Sequence, residues 1–261
     1  MTSPIHVFTP RKELRSLVES FDVRRGGDAV SVSCGLPCVD TNIVLNFGVP
    51  LRELLSSGGL KTHPRFAVYG CGPTLARYEW RPGVDMIIAR LKPGAAGAFL
   101  ENPCSDFVND VVPLEDDWGF EARLLGERIC GVGSPLRRVM MFEDSLLRRL
   151  SRRQSAPPSM IEALRLIESN RGMLPIGRFT EALGVTQRHL NRHFGRWVGM
   201  SLKLVSRVVR FNSLTERLRE GQGVDWGQEV YDFGFSDQSH LIREFRQFTG
   251  MTPTTFLAAN G

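Results

Sequence analysis

The chain has 261 residues, 42% of them apolar, which is more than one typical domain needs and enough for two hydrophobic cores. No apolar run approaches the ~20 residues of a membrane-spanning helix, and residues 1–15 hold prolines and charges in place of a signal-peptide core. No membrane association is expected, and the cytoplasm is the expected location. The net charge of +5 is unevenly placed: residues 1–150 carry 18 Lys and Arg against 18 Asp and Glu, whereas residues 151–261 carry 15 against 10.

From residue 29 to residue 91 the chain reads as strands. Segments 29–34, 41–47, 65–69, 75–80 and 84–91 are short and rich in β-branched and aromatic residues, with Gly, Pro, Asn and Asp between them, as in a β-sandwich or barrel. Beyond Lys92-Pro93-Gly94 the pattern turns helical, over 95–100, about 118–130, and 135–151. The last of these sets Leu136, Val139, Met140, Leu146, Leu147 and Leu150 on a broad apolar face, suited to packing on its own domain or, alternatively, to dimerisation.

A metal-dependent enzyme in this half would need clustered His and carboxylate ligands. Only His6 and His63 occur before residue 150, far apart and in expected loops, so no metal, cofactor or catalytic residue is expected. Cys34 and Cys38 make one close pair, with no second pair among Cys71, Cys104 and Cys130 to complete a zinc site. Buried thiols are the expectation and a redox sensor the alternative.

The stretch 151–159, with small polar residues and Pro157-Pro158, resists both helix continuation and core packing. It divides an expected N-terminal domain, 1–152, through a linker at 153–159, from a C-terminal domain at 160–261. Ile161, Leu164 and Ile167 stand at helical spacing at the start of the second domain, and Gly172 ends that helix.

The C-terminal domain repeats one module. Gly184-Val185-Thr186, His189-Leu190, Arg192, Phe194 and Gly199-Met200-Ser201 recur as Gly234-Phe235-Ser236, His240-Leu241, Arg243, Phe245 and Gly250-Met251-Thr252. The offset is 50 residues at the opening glycine and 51 from the histidine onward; a period of this size marks one supersecondary unit used twice. In the first copy, Thr186 is expected to N-cap a helix ending before Gly199. Leu190, Phe194 and Trp197 then face inward, and Arg188, Asn191, Arg192 and Gly195 outward. With a short helix at 175–183 before Gly184, this makes a helix-turn-helix over 175–199. In the second copy, over 225–250, Ser236 is the expected N-cap. Leu241, Phe245 and Phe248 face inward; Gln238, Ser239, Ile242, Arg243 and Arg246 lie on the tip or outer face. A long helix at 201–220, with Val205, Val208, Leu214 and Leu218 inward, separates the copies. Residues 186–219 hold eight basic residues and one acid, Glu216, an electrostatic footprint for phosphates.

The block Gly234-Phe235-Ser236-Asp237-Gln238-Ser239-His240-Leu241, with Phe245, Gly250 and Thr252-Pro253, resembles the signature of the AraC/XylS family of transcription regulators, over about residues 160–259. The resemblance implies a seven-helix DNA-binding domain with two helix-turn-helix units and double-stranded promoter or operator DNA as partner. By position, base-facing residues would be Arg188, Asn191, Arg192, Gln238, Ser239 and Arg243, with Arg196, Arg207, Arg210 and Arg246 as phosphate contacts. Thr180 and Val230 depart from the family's small alanine four residues before each turn glycine, and Leu202 from its proline.

The first half resembles the cupin-like sensor domains of such regulators through Leu36-Pro37-Cys38-Val39-Asp40, Pro82-Gly83-Val84-Asp85, Leu91-Lys92-Pro93-Gly94-Ala95-Ala96 and Pro113-Leu114. The expected fold class is therefore α+β: a β-rich cupin-like domain with flanking helices, then an all-α domain. A small-molecule effector of unknown identity, a homodimer and RNA polymerase are the further partners the resemblance implies. The alternatives are an enzyme or an alkyl- or redox-sensing domain tethered to a DNA anchor, and an architectural DNA binder.

Overall fold

The structure, a computed structural model, describes residues 5–150, 156–220 and 225–260. In chain order the first half contains β1 (His6–Phe8), a 3-10 turn at Lys12–Leu14, β2 (Val18–Arg25), β3 (Ser31–Gly35), β4 (Asn42–Asn46) and β5 (Arg52–Leu54). Then come β6 (Leu60–Thr62), β7 (Phe66–Tyr69), β8 (Ala76–Trp80), β9 (Asp85–Leu91), 3-10 turns at Ala96–Ala98 and Cys104–Phe107, and β10 (Val111–Pro113). Helices α1 (Leu114–Trp118), α2 (Phe120–Ile129) and α3 (Pro135–Leu150) close this half.

Two antiparallel sheets face each other, one ordered β1-β2-β9-β4-β7-β10 and the other β3-β8-β5-β6. The long sheet is covered on both faces, which is why β4 reads as an unbroken Ile43-Val44-Leu45 run. Ile43 and Leu45 join Phe21, Phe99, Trp118 and Phe142 under the helices. Val44 joins Leu51, Val84 and Met86, with Tyr69, Tyr78 and Trp80 against them, between the sheets.

The five strands expected from the sequence are present, and β1, β2, β5, β6 and β10 are additional. The helix expected at 95–100 is only a 3-10 turn, whereas the one expected at about 118–130 is present as α2, with the additional short α1 set off before it by Gly119, whose φ is 56°. On α3, Leu136 and Met140 are exposed rather than part of the packed face. Val139, Phe142 and Leu146 are buried there, beside two arginines that enter the interior with partners. The Arg138 guanidinium lies 4.1 Å from the Phe47 ring centre and 2.8 Å from Asp85, and Arg149 lies 4.6 Å from the Trp118 ring centre and donates to the Phe99 carbonyl at 2.7 Å.

His63 is buried, its Nδ1 2.9 Å from the Tyr69 hydroxyl and its Nε2 3.1 Å from Glu53. Cys71 and Cys104 are buried, and burial pushes the Cys104 thiol up to about 12, which keeps it protonated. Cys34 is exposed and Cys38 half-buried, its backbone bridged to Gly72.

The second half is helical: α4 (Pro158–Ser169), α5 (Ile176–Leu183), α6 (Gln187–Trp197), α7 (Leu202–Glu220), α8 (Trp226–Asp232), α9 (Gln238–Thr249) and α10 (Pro253–Asn260). These are the seven helices expected, among the described residues. Residues 153–155 of the expected linker lie outside the described residues, as do 151 and 152 before it, and Pro158 and Ser159, also expected there, are already helical, because proline suits the first helical position. The buried stripe of α4 is Met160, Ala163 and Ile167; Ile161 is exposed. No helix among the described residues is long and apolar enough to cross a membrane.

The β-rich half packs on both repeats. Cys71 donates its S–H to the Val198 carbonyl (2.9 Å) just after α6, and Trp197 lies against Gly97. The Leu75 N–H donates to the Phe248 carbonyl of α9 (2.8 Å), and Asn212 of α7 donates to the Pro37 carbonyl (2.9 Å).

Candidate nucleic-acid interface

Each repeat is a helix, a glycine turn and a capped second helix. In the first, α5 ends at Gly184, whose φ of 62° is the left-handed conformation that only glycine adopts without strain. Thr186 Oγ1 then accepts the His189 N–H at 3.2 Å and starts α6. Leu190, Phe194 and Trp197 bury one side of α6 against Met160, Ile167 and Phe179. Helical geometry therefore turns Arg188, Arg192 and Arg196 outward as a stripe at four-residue spacing, and all three are exposed.

The second repeat follows the same plan with a different cap. Asp225 starts α8 by accepting the Gly227 and Gln228 N–H groups, and Gly234 has a φ of 63°. The N-cap of α9 is Asp237 and not the expected Ser236. Its carboxylate accepts the His240 N–H at 2.7 Å, a charge-assisted bond at the positive end of the helix, while Ser236 donates to the same carboxylate at 3.0 Å. The His240 N–H, with the Ser236 hydroxyl adding to it, holds the Asp237 carboxyl below its ordinary range. Leu241, Phe245 and Phe248 are buried against Phe211 and Phe256. Gln238, Ser239, Arg243 and Arg246 are exposed.

Three of the expected contact residues have other partners. Asn191 is half-buried and its Oδ1 accepts the Leu202 N–H at 3.2 Å, capping the start of α7. A proline at 202 would have no N–H to give, so the departure from the family's proline and this contact of Asn191 are one feature. Bidentate recognition of adenine needs both ends of that carboxamide.

Arg207 and Arg210, expected at phosphates, turn instead to the buried Glu244 of α9. Arg207 Nε is 2.6 Å from Glu244 Oε1 and its Nη2 2.5 Å from Gln247 Oε1; Arg210 Nη2 is 3.8 Å from Glu244 Oε2, with its guanidinium 4.4 Å from the Phe235 ring centre. Burial pulls Arg210 below its ordinary value, and Glu244 only partly offsets this. Arg217 likewise bridges Glu229 (3.1 Å) and Asp232 (2.9 Å) of α8. The long helix α7 thus grips the second repeat through three arginines. Glu244, Glu229 and Asp232 were not singled out in the sequence, although Glu244 sits at the His193 position of the repeat, where a charge replaces a histidine.

The outcome is two capped helices, each presenting exposed arginines away from its core, joined by a 19-residue helix that fixes their relation. Residues 179–259 match the family model of a helix-turn-helix domain. The C-terminal domain is an AraC-type helix-turn-helix domain. Residues 6–113 match a domain of unknown function (DUF6597).

Similar solved structures include ToxT from Vibrio cholerae, 10% identical, covering 92% of this chain and 99% of that chain with a TM-score of 0.48. A ToxT structure with unsaturated fatty acid bound is 11% identical, covering 90% and 96% with a TM-score of 0.44. The AraC-like transcriptional activator CuxR is 16% identical, covering 87% and 90% with a TM-score of 0.25. No curated protein matches the chain in sequence. The AraC-type domain makes the protein a DNA-binding transcription regulator.

Proposed function

We propose that the regulator reads specific double-stranded sites with α6 and α9 in successive major-groove segments, under the control of the N-terminal domain. The observation that carries this is the pair of exposed arginine-bearing faces on one rigid spacer. Nineteen helical residues span roughly 28 Å, of the order of the ~34 Å between successive major-groove faces. Arg188, Arg192, Gln238, Ser239 and Arg243 are the base readers in this reading, and Arg196 and Arg246 contact phosphates.

Control acts through the contacts of the sensor half with both repeats. A cavity of about 140 Å³ between the sheets, lined by Glu53, Tyr69, Tyr78 and Cys38 among others, opens beside Leu75 and Leu36, which pack against the second repeat. Its size suits a small effector, to which Leu36, Leu75 and the tyrosine rings offer apolar contact and Glu53 and Asp110 polar contact. Domain limits of 1–152 and 160–261 with a short linker belong to the same reading.

The test is competition binding of the full-length protein to DNA from upstream of its own gene and from the targets of a genomic selection, with scrambled DNA as competitor. A preference of ~10³ or more marks a specific regulator. Equal binding to every sequence would leave an architectural binder instead.

A further inference from the structure

We infer that His189 and His193 form a chelate on α6 for a divalent late-transition ion of the zinc, nickel or copper class. Their Nε2 atoms lie 3.1 Å apart and their rings meet edge to face, centroids 4.4 Å apart. An ion bonded at 2.0–2.1 Å to each nitrogen would hold them about 2.9 Å apart at a right angle and about 3.3 Å apart at the tetrahedral angle. The observed separation falls between the two, so taking up an ion asks the rings to turn but not to move apart. Residues four apart share a helix face, the spacing by which one helix supplies two imidazoles to a metal.

The helix is stiff at this point. Thr186 caps the His189 N–H, and Leu190 and Phe194, interleaved with the pair, are fully buried. Both histidines are half-buried, which limits their rotamers and leaves one side open to solvent. No third His, Cys or carboxylate joins them to complete a ligand set among the described residues. The site is therefore two-coordinate from the protein, with exchangeable positions left for water or an anionic oxygen, and not a closed structural centre.

The proton bookkeeping is simple. Arginine only donates, so the 3.4 Å contact from Arg192 Nη2 to His189 Nδ1 leaves the His189 proton on Nε2, donated to His193 Nε2. On binding, that proton moves through solvent to Nδ1 of His189, both Nε2 lone pairs turn to the ion, and no proton is lost from the pair. Arg192 loses its acceptor and is released.

The second repeat shows what an unavailable pair looks like. There the equivalent residues are His240 and Glu244, and Glu244 is held by Arg207 and Arg210.

The experiment is calorimetric titration of Zn²⁺ into the full-length protein, without DNA, in a non-coordinating buffer with a non-thiol reductant. One ion per chain is expected. His189→Gln and His193→Gln should each weaken it by about 100-fold, the gain a second linked ligand brings. Cys34→Ser/Cys130→Ser, which removes the two exposed thiols, should leave it unchanged. Absence of binding by the wild type, equal affinity in His193→Gln, or loss of the ion in the cysteine variant would each overturn the site. Because no DNA is present, the outcome is independent of how α6 meets a groove.

Discussion

Arg192 and Arg207 belong to the same basic run of sequence, yet their surroundings give them opposite expected phenotypes. Arg192 is exposed on the outer face of α6, with only a long contact to His189. Arg192→Ala should cost about 1–3 kcal/mol on a specific site and relax the base preference at one position; equal loss on specific and scrambled DNA in a competition assay would remove it from the readers. Arg207 holds the buried Glu244. Its removal leaves a carboxylate short of a partner away from water, so Arg207→Ala should lower stability by roughly 1–3 kcal/mol. DNA affinity should fall alike on all sequences, because the seat of α9 loosens while its readers stay intact. Urea denaturation of Arg207→Ala, Glu244→Leu and the double variant checks this: a double variant more stable than the sum of the singles is the expected coupling.

At the scale of the element, the caps make a pH prediction with a definite sign. Asp237 in the folded chain sits below its ordinary range because the His240 N–H and the Ser236 hydroxyl bond the charged form. A carboxyl depressed in this way contributes stability that is fully present above its unfolded value and is lost as pH falls through the folded one. The contribution therefore fades below about pH 4, and Asp237→Asn should flatten that part of the stability–pH curve, its cost being largest at neutral pH and shrinking as the pH falls. A curve of unchanged slope would mean that Ser236 caps α9 after all.

The elements also differ in how readable they were. The paired helices were legible because glycine turns, caps and three inward apolar residues recur in register. Strand β2 was not, since Asp22 points inward; its charge is satisfied by Ser20 (2.8 Å) and by Arg90 (2.5 Å) from β9, a partner 68 residues away. Helix α3 showed its packed face only in part, through Val139 and Leu146, for the same reason, with Arg138 and Arg149 buried on it. Within the candidate site, exposure of the α6 and α9 arginines followed from periodicity, whereas the capture of Asn191, Arg207 and Arg210 depended on contacts across helices that no local pattern records.

At the scale of the molecule, the β-rich half and the first repeat share a core. Cys71 is buried with Met160, Phe194 and Val198, and the Trp197 ring presses on Gly97 so closely that a Cβ there would lie 2.6 Å from its Cε3. Structure shared in this way couples the two halves, so the wild type should unfold in one transition whose calorimetric and van't Hoff enthalpies agree. Gly97→Leu drives a side chain into a buried ring that has little room to yield, a strain of about 1–3 kcal/mol. It should part the halves and resolve two transitions, the sensor and the reader melting separately. Gly131→Leu is the control: it is exposed, and an added Cβ would meet nothing within 4 Å. A single transition retained in Gly97→Leu would show that the coupling runs instead through the Leu75–Phe248 and Asn212–Pro37 contacts on the second repeat. Two transitions would assign it to the first, and with it the route by which the sensor reaches α6.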